Sequence, residues 1–131
     1  MDDRQQELSK YRLQEAKDTL EVAKNCLEDG FYKDSINRSY YSAFYAIKSV
    51  LALQSVDFKR HKDVVAHFNK EYVAGEKFPK EIGRKLSTLK QLREKSDYDD
   101  FYIASSEKAK EQVETAETII ESIEEYLKEN Q

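Results

Sequence analysis

Asn37-Arg38-Ser39-Tyr40-Tyr41-Ser42-Ala43-Phe44-Tyr45-Ala46, within the longer run Tyr32 to Leu53, decides how this chain folds. Ile36, Tyr40, Ala43, Phe44, Ile47, Val50 and Leu51 recur at the spacing that brings side chains to one face of an α-helix. Arg38, Tyr41 and Tyr45 fall on the other side. A helix with large side chains on two faces is either central in a bundle or half of an interface. The interface is the expectation, because tyrosine buries a wide ring while its hydroxyl finds a partner.

Working outward, every neighbouring segment also has helical period. Leu13, Ala16, Leu20, Ala23 and Leu27 predict a first helix over roughly residues 5–29, with Gly30 placed to end it in the left-handed conformation. After a connector, Gln54 to Lys59, a short helix is expected from about His61 to Val73, with Val64, Phe68 and Tyr72 inward. Ala74 to Phe78 reads as a loop, and Pro79 opens a fourth helix where its missing N–H is harmless. That helix is expected to run to about Ser96. Following a linker from Asp97 to Ala104, Ser105 or Ser106 can cap a fifth helix striped by Ala109, Val113, Ala116, Ile120, Ile123 and Leu127. Short connections favour antiparallel neighbours, so the fold class is all-α, an up-and-down bundle of four to five helices. Three glycines and one proline in 131 residues agree with helices rather than with a turn-rich sheet.

At 131 residues the chain is expected to form a single helical domain over residues 1–131. Its longest uncharged stretch, Ser39 to Ile47, is far shorter than the roughly 20 apolar residues of a membrane span. The start, Met1-Asp2-Asp3-Arg4, is acidic and lacks an apolar signal core, so a cytoplasmic protein is expected, with no membrane partner. One cysteine, Cys26, excludes an intrachain disulfide and a cysteine-based metal cage, and it reads as a small half-buried residue. The net charge of −4 hides an asymmetry: residues 59–95 hold eleven Lys and Arg against five Asp and Glu, whereas residues 96–131 hold three against eleven. The two segments could neutralise each other by packing together, or the basic middle could meet a polyanion.

Arg93 is out of place. Ile82, Leu86 and Leu89 form the core stripe of the fourth helix, and the next position in that stripe is Arg93. A buried unpaired charge costs several kcal/mol, roughly, so this arginine demands partners. Asp97, at i+4, can supply one, and Asp99 or Asp100 could turn back to it. The histidines, His61 and His67, have no second ligand at metal spacing, so no metal and no cofactor are expected. No glycine-rich phosphate loop and no activated serine or cysteine nucleophile is present. Arg38, Tyr41 and the neighbouring rings are the right types to stack an unpaired base, and His61, set in Lys59-Arg60-His61-Lys62, could add a phosphate contact.

Taken in order, Asn37 to Ala46, His61-Lys62, Gly83-Arg84-Lys85-Leu86, and Arg93 with Asp97-Tyr98 resemble the HEPN family, in its stand-alone prokaryotic branch, over roughly residues 9–127. The resemblance implies a helical bundle that pairs as a homodimer. It also implies kinship with metal-independent ribonucleases, often toxins, several of which are encoded beside a minimal nucleotidyltransferase. In active branches an arginine at a helix end is followed four to six residues later by a histidine. Arg93 matches the arginine, but Tyr98 stands at the histidine's position, after four intervening residues. Arg60 and His67 fit the bare spacing but lie outside the matching segment. The resemblance thus implies a degenerate ribonuclease motif in an RNA-, nucleotide- or partner-binding module. The alternative is an active ribonuclease using Arg93 and Tyr98 at a dimer cleft, with Asp97, Arg38, Tyr41 and His61 in support.

Overall fold

The computed structural model describes residues 3–130; Met1, Asp2 and Gln131 lie outside them, and with Met1 and Asp2 the first half of the acidic start. Five α-helices follow one another: α1 (Asp3–Glu28), α2 (Tyr32–Ala52), α3 (His61–Phe68), α4 (Lys80–Tyr98) and α5 (Ser106–Glu129). Among the described residues there is no strand, and the fold is the all-α bundle that the periodicities predict.

The two-faced helix is central. α2 packs against α1, α5, α4 and α3, and Ile36, Ala43, Ala46, Ile47 and Val50 are completely buried. Ile47→Ala would cost about 2–5 kcal/mol, because neighbours on several sides cannot all collapse into the space. Serines let other helices approach closely. Ser35, Ser39, Ser42 and Ser49 are fully buried, and the Ser35 hydroxyl donates to the Ala23 carbonyl of α1 at 2.8 Å. The second face, Tyr41 and Tyr45, is half-buried against the same core.

Local chemistry fixes the helix ends. Gly30 has φ +83°, a conformation that a side chain would strain. Ser105 accepts the Lys108 backbone N–H at 3.0 Å, satisfying one of the donors that a helix start leaves unpaired. Two boundaries differ from expectation. α3 ends at Phe68 and passes through a π-helical turn, Asn69–Val73, instead of continuing as an α-helix. Close packing accompanies the irregular turn: a Cβ on Gly83 of α4 would stand 3.2 Å from Val73 Cγ1. α4 continues through Tyr98, so Asp97 and Tyr98 belong to a helix and not to the linker.

Candidate functional site: an arginine among tyrosines

The C-terminal half of α4 delivers Arg93 to the flank of α2. Leu86 and Leu89 are fully buried, but the arginine side chain keeps 17% exposure, and the buried residue that follows it is Ser96. Its guanidinium therefore lies at the rim of the core, which corrects the simple extension of the stripe. At the rim it finds three kinds of partner. Nη2 donates to the Tyr41 hydroxyl at 2.9 Å, and Nε lies 3.1 Å from Asp97 Oδ2. The Nε–H does not point along that second vector, so Nε makes an ion pair without an aligned hydrogen bond. Cζ stands 5.3 Å from the ring centres of both Tyr40 and Tyr41 and 5.9 Å from that of Tyr98, within cation–π range.

Asp97 is held from a second direction. The Asn37 amide of α2 donates to the same Oδ2 at 3.1 Å, and its Oδ1 accepts from Arg38 Nε and Nη2 at 3.0 and 2.7 Å. Arg38 Cζ in turn stands 4.9 Å from the Tyr41 ring centre. Two guanidinium groups thus border one phenol, linked through an amide and a carboxylate that reach across α2 and α4. Asn37 was not among the predicted site residues. Its signal was its position four residues before Tyr41, on the same face of the helix.

His61, at the start of α3, completes the group. Its ring stacks on Phe44 at 4.1 Å between centres and 29°, and meets Tyr41 edge-on at 5.6 Å. The residue stays exposed to solvent. Partial burial of the ring lowers its pKa, and the positive charges of Arg93 and Lys48 add to that, so the imidazole is mostly neutral at neutral pH. Tyr40, beneath, is buried and its phenol is pushed up to about 12, with Arg93 acting in the opposite sense. Lys48 also lies near the rim, with Nζ 5.9 Å from the Phe44 ring centre and 3.7 Å from Asp57 Oδ1.

Of the residues singled out in the sequence, the fold thus gathers Arg93, Asp97, Arg38, Tyr41 and His61. Tyr98 is reached only by its ring: it is 74% exposed and its hydroxyl makes no hydrogen bond among the described residues. His67 is elsewhere, its ring 5.3 Å from Phe58. Among the described residues the charge asymmetry is neutralised internally only at Arg93–Asp97, which joins the basic segment to the start of the acidic one. α5 pairs with α1, through Glu124–Lys17 and Glu117–Lys24, whereas the basic segment's ion pairs among the described residues are the local Arg60–Asp63 and Arg93–Asp97. Its other cations remain available to solvent or to an anion. A cleft of about 310 Å³ lined by Leu8, Arg12, Ala52, Val56 and Asp57 contains none of the Arg93 group.

This geometry suits an extended anionic ligand more than a small enclosed one. Arginine carries five N–H donors, and the Nη1 donors of Arg93 make no hydrogen bond among the described residues. A phosphate could take them beside exposed aromatic surface. Fold and site together define a class: a small helical-bundle module with a cationic, tyrosine-lined flank where α2, α3 and α4 meet. The chain belongs to the HEPN domain family, whose family model matches residues 9–126. It is similar to a UPF0332 protein of Thermotoga maritima, 28% identical over 93% of this chain and 92% of that one. Two proteins of Methanocaldococcus jannaschii are similar as well. "Putative toxin MJ0605" is 31% identical over 87% of this chain and 84% of its own length, and "Putative toxin MJ0142" is 26% identical over 88% and 78%.

Proposed function

We propose that this protein is a toxin-like module that binds RNA through the Arg93 flank, acts as a homodimer, and has a minimal nucleotidyltransferase as its protein partner. The observation that carries the reading is the orientation of Arg93: Tyr41 and Asp97 hold the guanidinium at the surface while its Nη1 donors stay unbonded among the described residues. A preorganised guanidinium loses little freedom on binding a phosphodiester, which favours phosphate over a freely moving lysine's partners. Arg38 and His61 extend the contact along α2, and the Phe44–His61 stack offers a face to an unpaired base. Tyr98 stands at the motif position of a histidine and brings no imidazole for proton transfer, so this reading takes the motif as degenerate at that position. The putative-toxin names of two relatives agree with a toxin-like module.

Fluorescence anisotropy with a labelled single-stranded RNA tests the binding. Affinity should fall steeply with salt, as counterion release requires, and Arg38→Ala should weaken it several-fold. Absence of binding at low salt would reject the reading. Gel filtration coupled to light scattering tests the dimer. Co-expression with a candidate nucleotidyltransferase tests the partner, and recovery of the homodimer alone would count against it.

A further inference from the structure

We propose that the groove between the α1–α2 turn and the α4–α5 linker docks a partner protein, through a segment of that partner in which large apolar side chains stand among lysines or arginines. The groove has a volume of about 440 Å³ and is lined by Phe31 and Asp34 on one side and by Tyr102, Ile103 and Ala104 on the other. None of these residues holds Arg93, so the proposal stands apart from the reading of that flank. The linker displays its large apolar residues outward. Phe101 is 93% exposed and Ile103 88%, whereas Tyr102 and Ala104, which alternate with them, are half-buried; Phe31, on the other wall, is 60% exposed. At ~200 Å² for a large aromatic side chain, the two phenylalanines leave roughly 300 Å² in water, and with Ile103 the patch reaches the size that on a monomer is often functional.

These side chains are held out by the backbone that carries them. The Asp99 N–H donates to the Lys95 carbonyl at 3.0 Å, the Tyr102 N–H to the Asp99 carbonyl at 3.1 Å, and the Phe101 N–H to Asp99 Oδ1 at 3.0 Å. Lys95 Nζ stands 5.6 Å from the Tyr102 ring centre, and Ser105 then caps α5. A linker tied at both ends loses little freedom when a partner covers it. Charge selects the occupant. Glu28 and Asp29 precede Phe31, Asp34 follows it, and Asp99 and Asp100 precede Phe101; all five are exposed, and none is in an ion pair among the described residues. Against them in these two segments stand Lys33 and Lys95. A second copy docking about a twofold axis would set this acidic rim against itself, and an anionic lipid surface would repel it. A protein segment with apolar residues for the groove and cations for the rim answers both features.

The test selects a displayed library of short random peptides on the wild-type protein, after depletion on Phe101→Ser/Ile103→Ser. The recovered sequences should combine Phe, Leu or Trp with Lys and Arg. A synthetic peptide of their consensus, followed by fluorescence anisotropy, should bind wild type about tenfold or more tighter than it binds Phe101→Ser/Ile103→Ser, and several-fold tighter than it binds Asp34→Asn/Asp100→Asn. Its affinity should fall as salt rises, because the rim charges are exposed. Phe31→Ser, on the opposite wall, should weaken binding as well. The replaced side chains are exposed, so the variants should melt close to wild type, which separates lost binding from lost fold. Recovered sequences without cations overturn the proposal, as does a peptide that binds wild type and Phe101→Ser/Ile103→Ser alike. A light-scattering mass that drops in Phe101→Ser/Ile103→Ser also overturns it, since a second copy then covers the face. Binding of wild type, but not of that variant, to vesicles of anionic phospholipid overturns it in favour of a membrane.

Discussion

Replacing Arg93 with alanine removes a hydrogen bond, an ion pair and two close ring contacts at once, and the structure sets a size for the loss. The bond from Nη2 to the Tyr41 hydroxyl, at 2.9 Å, involves a charged donor and is part-buried, a class that contributes about 1.5–3 kcal/mol. The pair with Asp97 joins side chains 17% and 27% exposed, so it lies above the near-zero value of a fully solvated pair and is worth about 1 kcal/mol. Tyr40 and Tyr41 add about 0.5–1 kcal/mol each. These contributions share one guanidinium and do not sum. Asp97 also keeps the Asn37 amide after the change, so it is not left wholly unpaired. We expect a net destabilisation of about 2–3 kcal/mol, which for a chain of this size lowers Tm by about 10 °C. Far-ultraviolet circular dichroism during heating reads it. Arg93→Lys should recover less than half, because an ammonium cannot reach Tyr41 and Asp97 together. A melt within about 1 °C of wild type would refute the claim that Arg93 clamps α4 to α2.

Four further outcomes follow from the same contacts. Tyr41→Phe, which deletes only the acceptor of Arg93, should lower stability by about 1–2 kcal/mol in chemical denaturation, and equal stability would show that the bond has no net value. Ser105→Ala should cost about 1 kcal/mol through the lost cap of α5, visible as a lower denaturation midpoint. Gly75→Ala should destabilise by about 1–3 kcal/mol, since its Cβ would stand 2.4 Å from the Glu71 carbonyl oxygen, backbone that can move only by distorting the π-turn. His61 should titrate below 6.5 in the folded protein by NMR. Because the unfolded chain then binds more protons in the interval between the two pKa values, its contribution to stability is present above 6.5 and is lost as pH falls through the folded value.

The helices were legible because their signals are local. The stripe of α2 and that of α5 recur over several turns, and Gly30, Pro79 and Ser105 mark ends through their own backbone or side-chain chemistry. The end of α4 lies beyond its sequence expectation for a nonlocal reason. Asp97 pairs with Arg93 within the helix and is also held by Asn37 of α2, so tertiary contacts accompany a helix end that three aspartates within four residues make look like a loop. The π-turn likewise depends on α4, whose Gly83 admits Val73, and nothing within Asn69–Val73 announces it. For the site, residue types pointed to Arg93, Asp97, Arg38, Tyr41 and His61, but spacing could not bring His61 onto Phe44, seventeen residues earlier in the chain. The resemblance put Tyr98 at the position of the family's histidine, and nothing in the spacing shows that an imidazole from α3 also meets the Tyr41 ring.

The central claim is that RNA phosphate lies on Arg93, and the arginine Nε–H signals of the labelled protein report on that atom directly. Titration with single-stranded RNA should shift the Arg93 signal progressively, with smaller changes at Arg38 and at the His61 ring. RNA that binds while the Arg93 and His61 signals stay unmoved would contradict the account.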